Sequence, residues 1–198
     1  MQRRSFLKLT GLTGVAALGA GYWALPSGPA PAALSIEAAQ ALLLQLSQQP
    51  LVCHAGWSPA EVFNHCAQSI DFSMDGYPQL KPAWFRHSVG PAAFAVFAAR
   101  GAMRHPLTEA IPGAPAIAEP ADPALALQRL QAAFARFASH NGALQPHFAY
   151  GSLSHAEYAQ AHVLHLYNHL SRLGPATSLQ IYPAALLASI QRRPRLLW

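Results

Sequence analysis

The sequence predicts an all-α fold, and in particular an antiparallel four-helix bundle with a long crossover between helices two and three. Apolar residues recur at helical spacing in four segments, two of which begin with a capping box, and no segment alternates apolar and polar residues over strand lengths. The 198 residues, about half of them apolar, suffice for one domain with a core. We therefore expect a single helical domain over residues 33–198, preceded by a leader over residues 1–32.

The first two helices have clear ends in the sequence. Ser35–Gln49 places Leu and Ala at helical spacing, with Ser35 as the N-cap and Pro50 as the stop. The run S-P-A-E at residues 58–61 combines an N-cap Ser, a Pro in the first helical position and a Glu three residues after the cap. This capping box predicts a second helix from Ser58 to about Ser73.

The crossover is predicted over Met74–Ala121, which is rich in Pro and Gly and has room for one short helix within Ala92–Met103. A third helix is expected to open at Asp122-Pro123 and to close at Asn141-Gly142. Its apolar stripe consists of Leu125, Leu127, Leu130, Phe134 and Phe137.

The fourth helix begins at a second capping box, S-H-A-E at residues 154–157. Its helical spacing continues to Leu173, and Gly174 is the expected C-terminal residue. A last helical segment is expected at Pro183–Arg193.

The net charge argues against a nucleic acid partner. Of the 13 Lys and Arg residues, Arg3, Arg4 and Lys8 lie in the leader, which leaves ten basic against eight acidic residues and a net charge of about +2. The remaining basic residues are mostly scattered, and no aromatic residues accompany them in a stripe. We therefore expect no nucleic acid binding.

The leader resembles a twin-arginine export signal. Residues 2–8 read Q-R-R-S-F-L-K, and only Gln2 departs from the motif, at a position where Ser or Thr is usual. Leu9–Leu25 is apolar but short and interrupted, and Ala30-Pro31-Ala32 is a suitable cleavage site. We expect export of the folded protein by the twin-arginine translocase, a periplasmic location and no stable membrane span after cleavage. An uncleaved N-terminal anchor is the alternative.

Histidine is unusually frequent, because ten His stand against eight Asp and Glu. His162, His165 and His169 share one face of the fourth helix, since their spacings are three, four and seven. His165 and His169 have the i,i+4 spacing of a metal-binding pair, and His162 is a further ligand, a partner of a ligand or a polar face residue. Two His on a helix face are also common without a metal.

A third ligand is available from the second helix. His65 lies on the same face as Val62 and Ser69, so we expect it to point inward. Three inward neutral imidazoles are hard to bury unpaired, because each ring has a donor and an acceptor that need partners. A metal ion bound by His65, His165 and His169 satisfies one nitrogen on each ring.

The residues around these histidines resemble the DinB-like (YfiT-like) metalloprotein superfamily, in a branch known only as a domain of unknown function. The resemblance extends from Ser35 to Gly174. The runs that carry it are W-S-P-A-E-V-F-N-H at 57–65, Q-S-I-D-F-S-M-D-G-Y-P at 68–78, H-F-A-Y-G-S-L-S at 147–154 and H-L-Y-N-H-L at 165–170. The chain departs from the branch at Asn168, where a further His is common, and at Arg172-Leu173, where Gln and Phe are usual.

The resemblance implies a DinB-like four-helix bundle that holds a divalent metal ion, often zinc or nickel, on the equivalents of His65, His165 and His169. Some members of the superfamily are thiol-dependent transferases or isomerases, and many have no known reaction. The branch itself offers no reaction, so the substrate stays open.

Several residues near the expected ligands are candidates for supporting roles. His147 and Tyr150 precede the fourth helix and are candidate acid, base or orienting groups, or residues that merely pack on the end of the bundle. Asp71 and Asp75 are candidate acceptors for the N–H groups of ligand imidazoles, or exposed residues of a helix end. Cys66 lies about 100° around the helix from His65 and is a poor ligand.

The two cysteines allow two interpretations. Cys53 and Cys66 either form one disulfide in an oxidising compartment or are small buried apolar residues.

Two functions follow from these patterns. The first is an exported metalloprotein that acts as a metal-dependent transferase, with or without a thiol, or as a hydrolase on a small molecule. The second is a non-catalytic bundle that binds a small ligand or partner and has a structural metal or none. A membrane-anchored interaction protein with an uncleaved leader is a third alternative, and a homodimer stays open.

Overall fold

The computed structural model describes residues 34–54, 56–117 and 122–175. The predicted leader with its cleavage site at Ala30-Pro31-Ala32, and the predicted helix at Pro183–Arg193, lie outside the described residues. The described part is mostly helical, which confirms the all-α class. Its elements in chain order are α1 (Ile36–Leu46), β1 (Leu51–Cys53), α2 (Pro59–Asp75), α3 (Ala83–Arg86), α4 (Val89–Arg100), α5 (Pro123–Ala138), α6 (His155–Leu170) and β2 (Leu173–Pro175).

Both predicted capping boxes are formed. At the start of α2, the Ser58 hydroxyl accepts from the Glu61 N–H at 3.3 Å, and the Glu61 carboxylate accepts from the Ser58 N–H at 2.7 Å. Ser154 and Glu157 repeat this exchange at the start of α6. These caps fix where the two histidine-bearing helices begin, and hence which face each histidine occupies.

The core lies between α1, α2, α5 and α6, which correspond to the four predicted helices. Their antiparallel arrangement as a four-helix bundle stays a prediction. Each fully buried Leu or Phe contributes about 1.5–3 kcal/mol relative to an exposed one. Fully buried members of this core are Leu43, Leu46, Phe63, Ile70, Leu130, Phe134, Phe137 and Leu166.

The ends of four helices differ from the predicted ones. α1 ends at Leu46, three residues before the predicted end at Gln49. α2 continues to Asp75 and stops at Gly76, whose backbone φ of 105° is rarely adopted by residues other than glycine. α5 ends at Ala138, before the predicted Asn141-Gly142 stop. α6 ends at Leu170, because Ser171 and Arg172 form a turn and Leu173, the predicted last residue of the helix, belongs to β2.

A short antiparallel sheet corrects the expectation that the chain has no strands. β1 and β2 pair with Leu51 opposite Pro175 and Cys53 opposite Leu173. Strands of three residues are too short to show the alternation that identifies a strand in a sequence. The ladder joins the segment before α2 to the end of α6.

The crossover contains α3 and α4, and the short helix expected within Ala92–Met103 is α4, shifted three residues toward the N-terminus. Gly90 lets α4 pack directly on the loop before α6. A Cβ atom at Gly90 would lie 1.9 Å from the carbonyl oxygen of Ala149. The backbone of this loop is therefore held against α4 by a contact that only glycine permits.

No helix in the described part of the chain is long and apolar enough to cross a membrane.

Cys66 is a buried free thiol, and burial raises its pKa well above the usual value. No bridge joins Cys66 to Cys53 in this structure, and Cys66 is packed in the core as a small apolar residue.

Candidate metal centre

Three histidines from two helices converge at one point. The Nε2 atom of His165 lies 3.1 Å from Nε2 of His65 and 3.1 Å from Nε2 of His169. One ring nitrogen of each residue lies within 4.8 Å of the other two. Zinc–nitrogen bonds of about 2.0–2.1 Å in a tetrahedral site separate ligand nitrogens by about 3.3–3.4 Å. The three side chains can therefore hold a metal ion.

The placement of these rings follows from the helices that carry them. His165 and His169 are one turn apart on α6, and α2 packs beside α6 so that His65 meets them from the neighbouring helix. The ring centroids are 4.8–5.0 Å apart in all three pairs. Trp57, just before α2, covers the group with its ring 4.9 Å from that of His65 and parallel to that of His169 at 6.1 Å.

Burial keeps these rings neutral. Desolvation, with the nearby His105, lowers the pKa of His65 to about 4. Desolvation and the neighbouring imidazoles lower the pKa of His169 to about 2, and they hold the pKa of His165 well below its usual range. A neutral imidazole is the form that binds a metal ion, so near pH 7 no proton has to leave.

The hydrogen-bonding needs of the group fit a bound cation. His165 Nε2 meets two other Nε2 atoms, yet one ring nitrogen either donates one hydrogen or offers one lone pair. A cation that receives one lone pair from each ring removes this conflict. The hydrogen of each ring would then be on Nδ1, and in His65 and His169 this atom is buried without a hydrogen-bond partner among the described residues, a need that the cation does not meet.

His162 lies outside this group. Its Nε2 is 3.1 Å from the Ser73 hydroxyl, and its ring stacks on Tyr158 and contacts Phe137 edge-on. His162 therefore lies on the same face of α6 as the ligands, about one turn before His165, and its polar contact is with Ser73 of α2.

A further histidine that the sequence did not single out lies beside the group. The ring of His105, in the loop after α4, is 4.9 Å from the rings of both His165 and His169. This residue stands in an irregular segment, where no periodicity indicates which way a side chain points. Its only signal in the sequence was the general excess of histidine.

A cavity of about 200 Å³ opens beside the histidines. A cavity of this size has room for a small molecule. His65, His105 and His165 form the wall next to the metal-binding group, and His147, Phe148 and Tyr150 belong to the rest of the lining.

His147 has a defined tautomer. Its Nδ1 accepts from the backbone N–H groups of Ala149 and Tyr150, both at 3.1 Å, so the ring hydrogen is on Nε2. The ring is 7 % exposed and stacks on Tyr150 with centroids 4.2 Å apart. Desolvation, with the nearby His162, lowers its pKa to about 3. His147 is therefore a neutral donor on the wall of the cavity.

The two aspartates that were candidate partners of ligand imidazoles bind elsewhere. Asp75 forms a two-pronged pair with Arg136 of α5, at 2.6 and 2.8 Å. Asp71 accepts from Arg136 at 3.2 Å and lies 3.5 Å from Arg129. These carboxylates join α2 to α5 on the surface, so the alternative of an exposed position describes them.

The chain matches a family of unknown function. The family described as Protein of unknown function (DUF1569) matches residues 32–176. The chain belongs to the DUF1569 family. The DUF1569 match includes α1 through β2, and with them every histidine of the candidate metal centre and the loop with His147 and Tyr150. No curated protein and no solved structure matches the chain.

Proposed function

We propose that the chain is a DinB-like metalloprotein that binds a divalent cation, zinc or nickel, through His65, His165 and His169, and uses it in a transfer or hydrolysis reaction on a small molecule. The observation that carries this proposal is the convergence of three neutral imidazoles at ligand spacing, two of which, those of His65 and His165, line a cavity. Structural sites are ordinarily closed, whereas a site beside a cavity gives a substrate access to the metal.

A divalent cation bound by three imidazoles lowers the pKa of a coordinated water or thiol toward neutrality. The chain supplies the surroundings in which that nucleophile reacts. The N–H of His147 can donate to a substrate oxygen in the cavity, and it is oriented by two backbone groups before the substrate arrives. His147 does not serve as a base, because its lone pair is already engaged and its pKa is low.

Tyr150 supports His147 rather than acting alone. Its ring lies nearly parallel to that of His147 and contacts Phe94 and Phe97 of α4. Burial raises the pKa of its hydroxyl to about 12, so the phenol stays protonated near pH 7. Of the roles that the sequence offered, orienting His147 is the one that we assign to Tyr150.

The same proposal includes export. The Q-R-R-S-F-L-K run supports transport by the twin-arginine translocase to the periplasm, and transport after folding suits a protein that takes up its metal in the cytoplasm. Mass spectrometry of the protein from the periplasmic fraction checks this. A new N-terminus near Ala33 is expected, and an intact N-terminus would favour the membrane-anchored alternative.

Elemental analysis after native export tests the metal centre. About one equivalent of zinc or nickel is expected in the wild-type protein, and none in His165→Ala or His169→Ala. A catalytic site should lose its metal and keep its helical circular dichroism, whereas a structural site should lose both. His140→Ala is the matched control, because His140 also has a buried unpaired ring nitrogen but makes no ring contact with the metal-binding group. Wild-type protein without metal would overturn the proposal.

A further inference from the structure

The ring of His105 lies as close to two of the three metal-binding histidines as those rings lie to one another. Its ring centroid lies 4.9 Å from those of His165 and His169, within the 4.8–5.0 Å that separates the three metal-binding rings from one another. The loop after α4 thus brings a fourth imidazole next to both ligands of α6, His165 and His169.

The hydrogen bond of this ring leaves its lone pair free. Nδ1 of His105 lies 2.8 Å from the carbonyl oxygen of Pro106, and a carbonyl only accepts. Nδ1 therefore carries the hydrogen, and Nε2 carries the lone pair. That Nε2 atom is buried and has no hydrogen-bond partner among the described residues. Buried acceptors without a partner are rare in folded proteins, and a cation would satisfy this one.

The chain also fastens this loop to both helices that carry ligands. Asn168, which directly precedes His169 on α6, approaches the backbone oxygen of His105 with its side-chain amide at 3.4 Å. Farther along the loop, the Gln68 amide of α2 donates to the carbonyl oxygen of Pro115 at 3.2 Å. Buried Met103 and Ile111 hold the segments on either side of His105 against the domain.

We propose that His105 is a fourth metal ligand through Nε2, and that a substrate donor atom replaces it when the cavity is filled. This inference rests on the proposed function, because it needs a metal ion at the three-histidine group. His105 lines the cavity together with His65 and His165, so a molecule in the cavity is next to the bond that would have to break.

The exchange needs no co-reactant. The neutral imidazole leaves with its lone pair, and the incoming sulfur or oxygen atom supplies its own. His105 comes from an irregular segment and not from a helix, so its side chain can rotate away from the metal while the backbone contacts of the loop with α2 and α6 stay in place.

Titration of the apo protein with cobalt(II) alone tests the ligand assignment. The His105→Ala variant should bind cobalt at least about tenfold more weakly than the wild type, since even the loss of a group that only supports a ligand costs 10–100-fold. Its visible absorption should also change in position and intensity, because the ligand set changes. His140→Ala is expected to match the wild type in both measurements.

Two results separate the failure of this inference from that of the proposed function. A His105→Ala protein with a cobalt affinity within about twofold of the wild type and an identical spectrum would overturn the fourth ligand and leave the three-histidine centre intact. A wild-type protein that binds no cobalt would overturn both. Circular dichroism of the apo variants verifies folding, and His105→Gln replaces His105→Ala if the alanine variant is unfolded.

The replacement of His105 is tested with 2-mercaptoethanol on the cobalt protein. Thiolate binding to cobalt gives a charge-transfer band, and in His105→Ala this band should appear at a roughly tenfold lower thiol concentration, because no imidazole has to leave. If the band appears at the same thiol concentration in wild type and variant, His105 does not compete with the incoming donor.

Discussion

His165 Nε2 lies 3.1 Å from His65 Nε2, although the two residues are 100 positions apart in the chain. Only the packing of α2 beside α6 brings them together, so the site is a property of the tertiary fold. A metal ion that binds both rings binds the folded protein and not the unfolded chain. Metal affinity is therefore linked to stability.

Addition of zinc to the apo protein should raise its free energy of unfolding. At a free zinc concentration one hundred times the dissociation constant, the gain is about 2.7 kcal/mol. Thermal or urea unfolding with and without zinc measures it. His65→Ala should abolish the gain while His87→Ala, at an exposed position, retains it; equal gains in both variants would contradict the site.

The apo protein should lose stability as the pH falls from about 6.5 toward 4. Folding lowers the pKa values of His65, His147 and His162 to between about 3 and 4. Between about pH 6.5 and 4 these residues are protonated in the unfolded chain and neutral in the folded one, so acid stabilises the unfolded state. Urea unfolding at several pH values measures the slope. His162→Gln should reduce that slope by at most about 1.4 kcal/mol per pH unit, since one titrating group is removed. An unchanged slope would show that His162 does not stay neutral.

Two histidines should show opposite tautomers in the apo protein. His147 accepts two backbone N–H groups at Nδ1 and should carry its hydrogen on Nε2, whereas His105 should carry its hydrogen on Nδ1. Long-range nitrogen–proton NMR distinguishes the two forms, and His147→Gln and His105→Gln assign the signals. An Nδ1–H signal for His147 would exclude it as a donor to the cavity.

Asp71→Asn should leave zinc affinity unchanged. Asp71 bonds to Arg136 and lies near Arg129, and these partners are themselves half exposed. Exposed ion pairs contribute about 0–1 kcal/mol, so the loss of stability should be no larger. Zinc titration and urea unfolding measure the two quantities. A tenfold loss of zinc affinity would show that Asp71 supports a ligand imidazole after all.

Gly90→Ala should destabilise the protein by more than about 2 kcal/mol, because the new methyl group would meet the backbone of the loop before α6. Gly142→Ala is the matched control. Its methyl group meets only the His140 side chain, which can move, so its effect should be much smaller. Urea unfolding compares them, and similar losses would mean that the contact of Gly90 with Ala149 is unimportant.

The sequence predicted those parts of the fold that depend on local chemistry. The Ser58 and Ser154 capping boxes placed the starts of α2 and α6 to the residue, because a cap involves residues only three apart. Helical spacing then put His165 and His169 on one face, and His65 was predicted to face inward from its position in α2.

The features that the sequence did not reveal depend on contacts between distant segments. His105 lies in an irregular loop whose path follows from Asn168 and Gln68 on two helices. The sequence left two alternatives for Asp71, because the position of Arg136 opposite it follows only from the packing of α5 on α2. β1 and β2 are too short to have a pattern of their own, and each forms only because the other is present.

The β1–β2 ladder has a consequence for how readily a cation can link α2 and α6. The ladder ties the chain just before α2 to the chain just after α6, with Cys53 opposite Leu173. This second connection limits how far the two helices can separate when no cation is bound. A cation then meets His65 and His165 already near one another, so less conformational freedom is lost when it binds both rings.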